Sequence, residues 1–192
     1  MPTAASAARK PASKTSVKTP KPKVDALKIK APKVDAIVIL KADHKTVDAL
    51  FKAYEKAGNN GAKKSEIAGK ICDELTVHTA IEEEIFYPEG YEASQDDTED
   101  KAMLYEAEIE HEGVKRLVGE IGEALERGHP DDMTDARVHV LSEYIKHHVK
   151  EEEEELFPAL KKTDMDMAEV GARMLKLKEK LHAEIAGHSK PD

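Results

Sequence analysis

The sequence predicts an all-α protein: an up-down four-helix bundle with a disordered basic N-terminal tail and an extra C-terminal helix. Three observations predict it. Apolar residues recur at intervals of three and four from Val34 onward, the period of a helix with one buried stripe. Gly, Pro and polar clusters interrupt that period at intervals. The composition, 36% charged with no Trp, three Phe and five Tyr, suits helices coated in Glu and Lys better than an aromatic-cored β protein. At 192 residues the chain holds one domain of ordinary size with length to spare, so one domain and a tail are expected.

The tail is residues 1–33. It carries nine basic groups against one acidic group, Asp25, a balance of +8, and five of the nine prolines. Such a segment buries too little apolar surface to offset the entropy of ordering, so disorder is expected. Two readings stand for it: a solubilising extension, or an arm for a polyanion such as nucleic acid or another acidic partner. Residues 34–192 hold 21 basic and 38 acidic groups, a balance of −17, so the acidic body competes for its own tail.

The first helix presents Ile37, Leu40, His44, Val47, Phe51 and Tyr54 on one seam, and Gly58-Asn59-Asn60-Gly61 ends it. Ser65 is the expected N-cap of the second, whose seam runs Ile71, Leu75, His78, Glu82 and Ile85 and stops near Pro88. After the polar link 94–97, the third helix shows Leu104, Ala107, His111, Val114, Val118, Ile121 and Leu125, and Gly128-His129-Pro130 closes it. The fourth follows the acidic pair Asp131 and Asp132. Its seam is Val138, Leu141, Ile145, His148, Glu152 and then Glu155 or Leu156, closing at Pro158. Residues 34–160 thus form the expected bundle, with short links favouring antiparallel neighbours. A further amphipathic segment over 163–188, with Met167, Val170, Met174, Leu177 and Leu181, either caps the bundle or pairs with a second subunit.

A single cysteine, Cys72, excludes an intramolecular disulfide framework and leaves His and carboxylate as the only metal donors. The thiol is read as a small buried helix residue. The apolar run Ala36 to Leu40 is far short of the ~20 residues of a membrane span, so no membrane association and a cytoplasmic location are expected.

Each bundle seam carries one histidine where its period calls for an apolar residue, and two seams add a glutamate four positions later. Positions i and i+4 share a face about 6 Å apart along the axis, so His78 with Glu82, and His148 with Glu152, can reach one centre. A lone seam histidine is more often a hydrogen-bonded core residue, and a run such as Glu151 to Glu155 is usually a solvated face. Four histidines on four seams change that weighing. Two carboxylates in one core are strongly disfavoured unless cations lie between them, and bridging carboxylates with imidazoles are a donor set for iron, with zinc or manganese behind it. The expected site is therefore His44, His78, Glu82, His111, His148 and Glu152 around a pair of metal ions.

The chain also repeats itself. HTAIEEEIFYP and HHVKEEEEELFP superpose His78 on His148 and Glu82 on Glu152, with His44 and His111 preceding by 34 and 37 residues. Each half is a helical hairpin, and two hairpins make a pseudo-twofold bundle.

With the motifs ADHKTVDALF, LTVHTAIEEEIFYP, EIEHEGVKRL and YIKHHVKEEEEELFP, residues 35–158 resemble the hemerythrin-like family, the HHE cation-binding domain. The resemblance implies that His44 and His78 serve one iron, His111 and His148 the other, and Glu82 and Glu152 bridge the two. It further implies a non-haem di-iron protein that binds or reacts with a small oxidant, O2, peroxide or NO, as sensor, detoxifier or carrier, with turnover left open. Oxygen-carrying members have another histidine one turn after the third-helix ligand, where this chain has Lys115, which leaves the second iron one ligand short. Two alternatives stand beside this reading: an iron storage or sensor module acting through a protein or nucleic-acid partner, and a metal-free helical interaction protein.

His147, His139, His182 and His188 flank the seams and His129 sits in a loop, so all are read as solvent-facing, His147 also as a support beside the site. Tyr144, one turn before His148, is read either as a hydrogen-bond donor to the site or as a core tyrosine.

Overall fold

The computed structural model describes residues 34–95, 97–128 and 130–188. The tail expected over residues 1–33, His129 and the side chain of His188 lie outside the described residues.

Helix α1 spans Ala36–Lys56. The Asp35 carboxylate caps it by accepting from the Ile37 N–H at 2.9 Å, and Gly58, at φ +55°, ends it in the left-handed conformation that glycine adopts without strain. Helix α2 begins at Gly61, one turn earlier than expected, because Asn60 supplies the cap by accepting from Lys63 N–H at 3.1 Å. Ser65 is therefore inside the helix, its hydroxyl donating back to the Gly61 carbonyl.

Nor does α2 stop near Pro88. It runs over Gly61–Ile81, widens into a π turn at Glu82–Phe86 and continues over Tyr87–Ala93. The Tyr87 N–H reaches back five residues to the Glu82 carbonyl. Where the ladder returns from five to four a carbonyl goes without a donor in any case, so proline's missing N–H costs less here than inside an α-helix.

Helix α3 spans Thr98–Glu126, capped by Asp97, which accepts from the N–H groups of Glu99 and Asp100. Helix α4 spans Asp132–Glu151, capped by Asp131, and repeats the device of α2: a π turn at Glu152–Leu156 and a last turn, Phe157–Leu160, past Pro158. The inserted residue advances the register, which places Leu156 in the core and leaves Glu155 exposed. Helix α5 spans Met167–His188, its first N–H groups received by Asp166.

α1 to α4 pack in sequence around one axis and α1 meets α4 to close the bundle. α5 lies on α1 and α2 and buries Val170 and Met174 in one cluster with Ala36, Ile39, Ile81 and Ile85, so it caps its own bundle, while Met167, Leu177 and Leu181 of the stripe stay partly exposed. Among the described residues no helix is long and apolar enough to cross a membrane.

Two apolar clusters fill the bundle. One gathers Leu40, Ile81, Phe86, Leu104, Leu156 and Phe157, the other Val47, Ile71, Leu75, Val114, Leu141 and Ile145. Each buried Leu- or Phe-sized side chain contributes about 1.5–3 kcal/mol. Between the clusters, at the same level on all four helices, lies a buried polar layer.

Candidate metal centre

That layer contains all six residues the sequence singled out, His44, His78, Glu82, His111, His148 and Glu152, every one buried and Glu82 at 0% exposure. Their inward atoms converge. Glu82 Oε2 lies 3.1 Å from His78 Nε2 and 3.4 Å from His111 Nε2, and Glu152 Oε2 lies 3.2 Å from His44 Nε2 and 3.5 Å from His148 Nε2. Each carboxylate thus touches one histidine from each hairpin. The donor atoms fall into two groups, His44, His78, Glu82 and Glu152 on one side and Glu82, His111 and His148 on the other, with Glu82 common to both. Both glutamates open the π turns of their helices, where a local widening at a functional position is characteristic.

The outer faces of the histidines show a second tier of carboxylates that sequence reasoning missed. Glu153 meets His44 Nδ1 at 2.9 Å, Glu83 meets His111 Nδ1 at 3.0 Å, and Glu110 meets His148 Nδ1 at 2.8 Å. Asp43 stands 3.8 Å from His78 Nδ1, farther because aspartate is one methylene shorter and because Lys178 of α5 holds its other oxygen. An ionised carboxylate only accepts, so Glu153, Glu83 and Glu110 keep the proton on Nδ1 of His44, His111 and His148 and turn those Nε2 lone pairs inward, while His78 Nδ1 has no hydrogen-bond partner among the described residues. The tier obeys the repeat: Asp43 and Glu110 precede the first histidine of each half, Glu83 and Glu153 follow its glutamate. An acidic residue at both matching positions was the available signal.

Lys115 occupies none of the centre. Half exposed, at 50% of its side chain, it donates to both oxygens of Glu83 at 2.8 Å, and Lys41 does the same for Glu153 at one oxygen. The position read as leaving the second half-site one ligand short holds a clamp on the carboxylate that orients His111 and adds no donor to that side.

A further residue was missed. Tyr87 donates its hydroxyl to Glu152 Oε1 at 3.0 Å and lies 3.3 Å from His111 Nε2. Its counterpart in the repeat is Phe157, which stacks on His44 with ring centroids 5.9 Å apart. Tyr144, by contrast, is 47% exposed and its ring lies over Gly113 of α3, so neither reading of it holds; Leu141 and Ile145 take the seam positions before His148. His139, His147 and His182 are exposed as expected. Cys72 is buried, as expected, and burial pushes its thiol up to about 12, which disfavours the thiolate.

The electrostatics of the layer ask for positive charge. Burial, and then the charge of Glu152 beside it, push the Glu82 carboxyl well above the usual range. Burial raises Glu152 as well, but the charges of His148 and His44 outweigh it and hold Glu152 low. Without a cation the pair therefore resists carrying two negative charges. Burial lowers His78 to about 4, while at His44 and His148 it is outweighed, chiefly by Glu152, and both are raised. Both oxygens of Glu82, Oε2 of Glu152 and Nε2 of His44 lack a hydrogen-bond donor or acceptor among the described residues. His111 Nε2 and His148 Nε2 face each other at 3.2 Å, lone pair to lone pair unless a proton or cation lies between. Unsatisfied buried acceptors around a common point fit a cation, and an N/O set without thiolate suits iron, zinc or manganese.

An antiparallel helical bundle with a buried layer of imidazoles and carboxylates defines a metal-binding protein of hemerythrin-like type. The sequence matches the hemerythrin HHE cation binding domain over residues 35–160, and the chain belongs to that family. Among solved structures it resembles a hemerythrin HHE cation binding domain-containing protein from Mycobacterium kansasii, with a TM-score of 0.63 and 21% identity, covering 79% of this chain and 89% of that one, a likeness of fold. A protein of Nostoc sp. described as a DNA nickase is 29% identical over 156 residues, 78% of this chain. The chain spans 42% of that relative's length.

Proposed function

We propose that this chain is a non-haem di-iron protein that binds or reacts with a small oxidant, O2, peroxide or NO. The observation that carries the reading is the sharing of carboxylates between half-sites, Glu82 between His78 and His111 and Glu152 between His44 and His148. Two iron ions held there would supply electrons and Lewis acidity to a small molecule. The chain's own residues supply the rest. Glu83, Glu110 and Glu153 orient the imidazoles, the two apolar clusters exclude water, and Tyr87 offers a hydroxyl beside His111 and Glu152. A cleft of about 50 Å³ reaches His148 and Glu152, room for a few water-sized molecules beside the centre.

Metal analysis by mass spectrometry, with absorption spectra before and after adding peroxide or azide, tests the reading. About two irons per chain and a spectral change on addition are expected. Zinc alone would sink it; no metal after anaerobic reconstitution would sink it and also favour the metal-free interaction protein. In the His78→Ala variant both metal content and the stability that metal confers should fall; unchanged loading would remove His78 from the site.

A second reading, a metal storage or sensor module acting on a nucleic-acid partner, is favoured by the relative described as a DNA nickase and by the +8 tail. Binding to duplex DNA that weakens steeply with added salt would carry it, and no binding at low salt would remove it.

A further inference from the structure

The internal repeat has two equivalent grooves leading from the surface to the buried layer, and the chain treats them oppositely. In the first half the groove is lined by Ile39, Ile81 and Ile85, and α5 fills it with Val170 and Met174. The matching positions of the second half are Glu106, Glu151 and Glu155, and this groove is the open cleft whose floor is His148 and Glu152. Val77, fully buried in the first half, likewise becomes His147, whose side chain is 63% exposed.

Glu110 and Glu151 line the open groove, and beside it His147 Nε2 lies 3.1 Å from Glu151 and 3.6 Å from Glu110, with donor atoms of the three within 4.8 Å of one another. Glu110 joins the surface to the interior, since its other oxygen meets His148 Nδ1 at 2.8 Å. Beneath them, Glu152 is 2% exposed and its Oε2 has no hydrogen-bond partner among the described residues. Carboxylates thus continue from the exposed Glu106 and Glu155, through half-buried Glu110 and Glu151, to an unsatisfied oxygen at the floor.

We propose that His147, Glu151 and Glu110 form an outer divalent-cation site through which metal is loaded into the buried centre. The inference rests on the buried cluster holding metal. An acidic groove concentrates cations at its mouth, a mixed imidazole and carboxylate set binds them at the surface, and the half-exposed position lets them leave again. On the opposite face an apolar helix covers the matching surface.

The test compares wild type with the double variant His147→Ala/Glu151→Gln, and with Glu143→Gln, an exposed charge on the same helix, as control. Anaerobic ferrous iron uptake is followed by stopped-flow with a chelator chase, and Mn²⁺ binding by electron paramagnetic resonance. The double variant is expected to load about tenfold or more slowly, to reach the same final buried metal content, and to bind one Mn²⁺ fewer per chain. Equal loading rates and Mn²⁺ counts would overturn the proposal. So would an equal slowing in Glu143→Gln, which would assign the effect to overall charge, or loss of the buried metal in the double variant, which would make these residues part of the centre. If wild type takes no metal into the buried layer, the proposed function fails, while the Mn²⁺ comparison still reads the outer site.

Discussion

The hydroxyl of Tyr87 donates across the bundle to Glu152 Oε1 at 3.0 Å, while the residue at its place in the other half of the repeat is Phe157, with nothing to donate. The two half-sites are thus chemically unlike in a position where the backbone makes them alike. Burial and the neighbouring carboxylates push the Tyr87 phenol well above its ordinary range, so it remains a donor at any working pH.

Replacing this tyrosine by phenylalanine, Tyr87→Phe, keeps the ring and removes only the bond. A hydrogen bond to a charged group contributes about 1.5–3 kcal/mol, and a loss of that size is expected in denaturant unfolding of the metal-free protein. A change under about 0.5 kcal/mol would show that Glu152 finds another donor.

Glu82 sets an opposition between stability and binding. Its carboxyl is held above the ordinary 4.5, so without metal the folded state keeps a proton that the unfolded state releases as pH rises. Its stabilising contribution is complete below 4.5 and is lost as pH climbs towards the raised value. The slope for one proton reaches about 1.4 kcal/mol per pH unit. Glu82→Gln imitates the protonated acid and cannot titrate. The metal-free variant should gain on wild type as pH rises, while its metal content falls. A constant stability difference between about pH 5 and 8 would mean that Glu82 ionises freely in the fold.

The outer carboxylates make a graded prediction. Glu83 orients His111 directly, and Lys115 acts only through Glu83. Glu83→Gln should weaken metal binding about 10- to 100-fold in chelator competition. Lys115→Ala should weaken it less and cost no more than about 1 kcal/mol of stability, since the ammonium is half exposed. Equal losses in the two variants would give Lys115 a place in the centre itself.

The four histidines and two glutamates were legible because each breaks an apolar period, and no packing argument explains six such breaks at one level of a bundle. Asp43, Glu83, Glu110 and Glu153 were not, because they sit one residue off the seam, where acidic side chains ordinarily face water. The π turns hid Tyr87 in a different way. They advance the register after Glu82 and Glu152, so extrapolating a period of 3.6 misplaces everything beyond. Tyr144 failed for the opposite reason: it lies one residue off the seam that Ile145 occupies, and at 47% exposure it faces outward. The fate of the C-terminal stripe was open in the sequence, since amphipathicity states that a face is buried and not against what.

That stripe yields a pair of glycine substitutions with opposite signs. Gly171, near the start of α5, lies against the chain where it runs into α1, and an added Cβ would collide with the Val34 carbonyl and crowd the Ala36 nitrogen. Backbone atoms on a capped helix cannot swing aside as a long side chain can, so Gly171→Ala must move α5 off the apolar groove it fills. A loss of about 1–3 kcal/mol is expected, typical of overpacking. Gly119, in the middle of α3, has nothing within 4 Å of the same added atom, and Gly119→Ala should stabilise by about 0.5–1 kcal/mol through helix propensity alone. Both values come from thermal or denaturant unfolding of the metal-free protein. A neutral Gly171→Ala would show that α5 can shift without loss, and the sealing of the first groove would then rest on something other than its close seat against Val34.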